Sequence, residues 1–147
     1  MFKDVLIRHV AVSAVWSLLS FQTADAQDLT MHSRLPSIEV ERFLPVHTEA
    51  MNPGPFEAQR RRTGVSQPFF IVGCDAYSLT WIERNRERLR ELQAFGLVVE
   101  AADARAYHQL AALAQGLIIR PVAGDLIAQH LGIVRYPALI TADGISP

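Results

Sequence analysis

The chain has 147 residues but only one cysteine, Cys74, and one lysine, Lys3. A single thiol excludes an internal disulfide and leaves no Cys-x-x-Cys pair for dithiol exchange. The five histidines (His9, His32, His47, His108 and His130) stand singly, and none pairs with the cysteine at ligand spacing. No structural zinc or other metal site is therefore expected. Phosphate-binding loops and nucleophile elbows are also missing, with no Gly-x-x-x-x-Gly-Lys, no Gly-x-Gly-x-x-Gly and no Gly-x-Ser-x-Gly, and no cofactor is expected. Neither charge sign dominates. The net charge of −1 gives no long-range field to attract nucleic acid.

What is present begins with an address. Lys3 and Arg8 flank an apolar run from Val10 to Phe21, and Ala24 and Ala26 stand where a signal peptidase needs small side chains. The run is shorter than the roughly 20 residues that span a bilayer core. The expectation is a signal peptide over 1–26 with the mature chain starting at Gln27, the alternative being an uncleaved anchor. Membrane contact is then limited to export unless the signal is retained. Cleavage would remove Lys3, Arg8, Asp4 and Asp25 together, leaving the net charge at −1 and arginine as the only cationic side chain apart from histidine.

Residues 27–67 read as an extended, partly ordered arm rich in Pro, Glu and Arg. Its strand-like run, Ser37 to Leu44, lies between Pro36 and Pro45 and could join a sheet only at an edge. Asn52 to Pro55 is a turn cluster, and Arg60 to Arg62 read as solvated linker. From Pro68 to the end the pattern becomes a strand and helix alternation. Phe69 to Val72 suits a buried strand, and Asp75 or Ser78 can cap a helix with apolar positions at Leu79, Ile82, Leu89, Leu92 and Phe95. Gly96 reads as its stop. Leu97 to Ala101 is the next strand, Asp103 caps a helix ending at Gly116, and Leu117 to Pro121 is the third strand. Asp125 can cap a short helix closed by Gly132. Tyr136 to Thr141 is the last strand, followed by a hairpin-type Asp143-Gly144. Strands joined by helices imply a largely parallel sheet. The expected fold is a thioredoxin-like three-layer α/β sandwich over 68–147.

Two places invite chemistry. Cys74, between a strand and a helix start, could be a redox thiol, since helix N-termini favour thiolates. Tyr77, however, stands where a resolving cysteine would be needed. Tyr136-Pro137 is a candidate cis peptide before a strand, and the backbone there could pair with an extended peptide. Tyr77, Tyr136 and Pro137 are therefore candidate partner-binding residues. Asp75, Asp103 and Asp125 are explained as helix caps, with a carboxylate ligand site at the sheet edge as the alternative.

Several segments together resemble a family of small exported proteins encoded in integrating conjugative elements. They are Pro68 to Gly73, Ser78 to Ile82, Leu89 to Val99, Ala123 to Gly132 and Tyr136 to Ile145, with looser matches at Leu44 to His47 and Pro53 to Pro55. The resemblance implies a periplasmic accessory protein of a conjugative type IV secretion system in a Gram-negative bacterium. It also implies partners among the other secretion proteins and no established enzymatic activity. It further implies that an acidic residue usually occupies the position of Cys74. A non-enzymatic contact protein is thus the leading expectation. The alternatives are a thiol-dependent redox or chaperone-like helper using Cys74, and a peptidoglycan or small-ligand binder at the sheet edge.

Overall fold

A computed structural model describes residues 40–147, and these belong to one compact unit. Three helices and eight short strands alternate along it. The strands are β1 (Asn52–Pro53), β2 (Gln59–Arg60), β3 (Phe69–Gly73), β4 (Phe95–Glu100), β5 (Ile119–Pro121), β6 (Arg135–Tyr136), β7 (Ala138–Thr141) and β8 (Gly144–Ser146). The helices are α1 (Ala76–Glu91), α2 (Ala104–Leu113) and α3 (Asp125–Leu131). Among the described residues no helix is long and apolar enough to cross a membrane.

Six strands form one sheet in the order β2-β8-β7-β3-β4-β5, and β1 pairs with β6 separately. The expected mostly parallel, thioredoxin-like sheet is corrected here, because the sheet is mixed. Only β3, β4 and β5, which are joined by helices, run parallel. The β3/β7, β7/β8 and β2/β8 pairs are antiparallel. The cause lies at both ends of the folded unit. After α3 the chain turns at a cis Tyr136-Pro137 bond and runs back along β3. The two residues Ala142 and Asp143 then reverse it into β8, whose outer edge takes β2 from the arm.

Side chains of successive strand residues enter different cores, as a pleat of period two requires. Phe70, Val72, Val98 and Leu139 join Ile82 and Leu89 of α1 and Tyr107 and Leu110 of α2. Ile71, Val99, Ala138 and Ile140 join Ala128 and Leu131 of α3 and Met51 of the arm. Gly96 is not the stop of α1. The helix ends at Glu91, Gln93 takes the positive φ of 51°, and Gly96 lies inside β4. A Cβ on Gly96 would meet the Phe70 ring at 2.4 Å, so the glycine is needed for close packing. Gly132 does close α3, with a left-handed φ of 62°.

The arm is more tightly bound than its composition suggests. The strand expected over Ser37 to Leu44 is corrected within its described part, where Glu41–Phe43 is a 3-10 turn and Leu44-Pro45 is a second cis bond. Val46 and Ala101 exchange both backbone hydrogen bonds, at 3.0 and 2.9 Å. Thr48, 1% exposed, donates to the Val99 carbonyl and accepts from the Gly124 N–H, both at 2.8 Å. Asp125 does not cap α3. Gly124 is the N-cap, and the Asp125 carboxylate accepts from the Ala50 N–H at 2.9 Å. Arg61, expected in solvated linker, donates its guanidinium to the Leu131 carbonyl.

Candidate functional site

The carboxyl ends of β3 and β4 bring the chemistry-bearing side chains together. Cys74 follows β3, and its N–H donates to the Glu100 carbonyl at the end of β4 (2.8 Å). Asp75 then caps α1, accepting from the Ser78 N–H at 2.9 Å and from the Ser78 hydroxyl at 2.8 Å. Ser78 is not the cap. It is fully buried, and its hydroxyl also accepts from the Gly73 N–H at 3.0 Å. Asp103 caps α2 through the Ala106 N–H at 2.8 Å. The Glu100 carboxylate meets His47 Nδ1 of the arm at 2.6 Å.

Tyr136 lies over this point. Its ring and the Asp75 carboxylate crowd the bare Cα of Gly73. A Cβ there would stand 2.6 Å from Asp75 Oδ2, 2.7 Å from Tyr136 Cε2 and 3.0 Å from the Tyr136 hydroxyl. Only glycine permits that approach. Burial is the main cause that raises the Tyr136 phenol, with Asp75 and Glu100 adding to it. The Cys74 thiol is pushed up from 9.0 to about 11, chiefly by burial and then by the negative charges of Asp75, Glu100 and Asp103. These carboxylates oppose the thiolate-favouring field of the α1 N-terminus.

The sequence candidates separate in space and exposure. Cys74 is partly buried. Tyr77 is 47% exposed on the first turn of α1, whereas Tyr136 is 2% exposed and Pro137 is fully buried. Pro137 and most of Tyr136 thus offer no side-chain surface to a partner. The backbone beside them is also occupied, because β1 pairs in parallel with β6. Asn52 N–H donates to the Val134 carbonyl at 3.0 Å, and Gly54 N–H donates to the Tyr136 carbonyl at 2.9 Å. The chain's own arm fills the edge expected to receive an extended peptide.

Of the three aspartates, Asp75 and Asp103 flank Cys74, while Asp125 is engaged with Ala50. Sequence reading missed Glu100 and His47. Glu100 had a signal, as a charged residue ending a hydrophobic strand. His47 had none, since it reaches Glu100 from 53 positions away. Among the described residues no group of three or more His, Cys, Asp or Glu is placed to hold a metal ion. The expected cleavage residues Ala24, Ala26 and Gln27 lie outside the described residues.

No curated protein matches the chain, and no solved structure does either. A family model described as "Protein of unknown function (DUF2859)" matches residues 13–145, nearly the whole chain, and the protein belongs to that family.

Proposed function

We propose that this is a non-enzymatic, exported protein that acts through protein–protein contacts. The system we assign is the conjugative type IV secretion machinery of an integrating conjugative element, working in the periplasm. The leader pattern around Val10 to Phe21 and Ala24 to Ala26 supports the address, and the segment resemblance from Pro68 to Ile145 supports the system.

One observation carries the non-enzymatic reading over the redox alternative. The only thiol sits among Asp75, Glu100 and Asp103 and is held protonated, at about 11. A thiol must be a thiolate to attack a disulfide, and exchange cysteines are found in electropositive surroundings. The surroundings of Cys74 are electronegative.

The test is a mating assay. Deleting the gene is expected to lower transfer frequency, and Cys74→Ser is expected to restore transfer to the wild-type level when supplied in trans. Transfer with Cys74→Ser as low as in the deletion strain would overturn the non-enzymatic reading. Unchanged transfer in the deletion strain would overturn the conjugative assignment.

A further inference from the structure

We propose that the groove between α3 and residues 63–65 of the arm docks an apolar, carboxylate-bearing segment of a partner protein, with Arg61 receiving the carboxylate. The inference rests on the contact-protein reading and names the surface and the chemistry through which contact is made. The groove has a volume of about 870 Å³ and is lined on its apolar side by Val65, Phe69, Leu126, Ile127 and Leu131. Val65, Phe69 and Ile127 pack against the core under α3 yet stay only partly buried. Leu126 is 79% exposed. A lone exposed leucine is ordinary, but one that continues a row of half-covered apolar side chains makes a patch of the kind that marks an interaction site.

A fixed cation stands at the end of this patch. The Arg61 guanidinium donates to the carbonyl of Leu131, the last residue of α3, and at 3.3 Å to the side-chain oxygen of Gln59. Both acceptors are neutral, and the two bonds use two of the five guanidinium donors. No carboxylate pairs with Arg61 among the described residues. Asp143 accepts from the Arg61 N–H through its backbone carbonyl, and the Asp125 carboxylate is engaged with the Ala50 N–H.

Charge selects the occupant. None of the side chains lining the groove is acidic, and His130 is the one titratable group among them. A guanidinium held in place with open donors beside an apolar floor complements a carboxylate carried next to apolar side chains. The same face of a second copy does not complement it. A two-fold interface would set Arg61 and His130 against their own counterparts, and like charges so placed disfavour the pairing.

The probe is a blocked Glu-Leu-Phe-Glu-Leu-Leu-Glu peptide titrated into the full chain and followed by amide NMR shifts. One counterpart carries glutamine for each glutamate, and another carries serine for each apolar residue. The acidic apolar peptide is expected to shift the amides of Arg61, Val65, Phe69 and Leu126, and each counterpart is expected to bind about tenfold more weakly. Arg61→Gln and Leu126→Ser are each expected to weaken binding of the first peptide about tenfold. If Arg61→Gln does not fold, Leu126→Ser, at an exposed position, decides together with the glutamine peptide. Equal binding of the glutamine peptide, or unchanged binding by Leu126→Ser, overturns the inference. Shifts of the same amides caused by phosphatidylglycerol vesicles or by raised protein concentration, with none caused by the peptide, identify a membrane surface or a second copy and also overturn it.

The mating assay separates this inference from the broader reading. The Arg61→Gln/Leu126→Ser double variant, supplied in trans, is expected to lower transfer about tenfold. Full transfer with that variant, where the deletion strain fails, overturns the groove and leaves the contact reading standing. Peptide binding at the groove with unchanged transfer in the deletion strain supports the groove and overturns the conjugative assignment.

Discussion

If the carboxylates around Cys74 set its character, its reactivity should follow a calculable pH course. The thiol is displaced from 9.0 to about 11, and each unit changes the thiolate fraction tenfold. At pH 8 about one molecule in a thousand would carry the thiolate, against about one in ten for an unperturbed thiol. Alkylation of the folded protein by iodoacetamide should therefore run about a hundredfold slower than in urea, with partial burial slowing it further. The rate should keep rising through pH 10, reach its midpoint near 11 and level off only above that. Neutralising Glu100 and Asp103 together, as Glu100→Gln and Asp103→Asn, should move the midpoint down only part of the way, because burial is the larger cause. The same shift fixes the sign of a stability effect. The folded thiol holds its proton more tightly than the unfolded one, so between pH 9 and about 11 the unfolded state releases the proton first. Stability contributed by Cys74 is fully present below pH 9 and lost as pH rises through 11, and Cys74→Ser should lack that decline. An alkylation midpoint at or below 9, in folded wild-type protein, would refute the reasoning.

Three further outcomes follow from the packing. Thr48→Val should destabilise by about 2–4 kcal/mol, because it leaves the buried Val99 carbonyl and Gly124 N–H without their shared partner. Thr48→Ser keeps both bonds and should cost only about 1 kcal/mol for the missing methyl. Urea midpoints that rank the two variants the other way contradict this account of the arm. Gly96→Ala should lower the thermal midpoint through a clash worth about 1–3 kcal/mol with Phe70 and Ile119, and a midpoint equal to wild type would show that the strand can yield there. Asp75→Ala should cost about 1 kcal/mol or more by uncapping α1 and releasing Ser78, whereas Asp75→Asn should recover most of it. Chemical denaturation of the pair distinguishes capping from a charge effect.

The elements legible in the sequence were those fixed by local physics. Phe69 to Val72, the α1 stripe from Leu79 to Leu89, the Asp75 and Asp103 caps, the Gly132 stop and the cysteine at the strand end sit where their neighbours dictate, whereas Phe95, expected on the helix, opens β4, and α2 ends at Leu113 with Ala114 as its cap, short of Gly116. Helix-linked strands were correctly read as parallel for β3, β4 and β5. The error came from extending that rule to β7, whose direction depends on how the chain re-enters after α3. Gly96 was misread because a glycine near a helix end looks like a stop, while its actual requirement is the Phe70 ring across the sheet.

By itself, then, the sequence determined the Asp75 and Asp103 caps, the buried strand Phe69 to Val72 and the position of the one thiol, because each depends on residues close along the chain. Only the tertiary structure decided that the sheet is mixed, that the arm occupies the edge beside Tyr136, and that Glu100 and His47 join Cys74. Those outcomes rest on pairings such as Val46 with Ala101 and Asn52 with Val134, between segments far apart in the chain. Backbone groups at such places must all find partners, and which partner they find is set by the assembled fold rather than by local residue type.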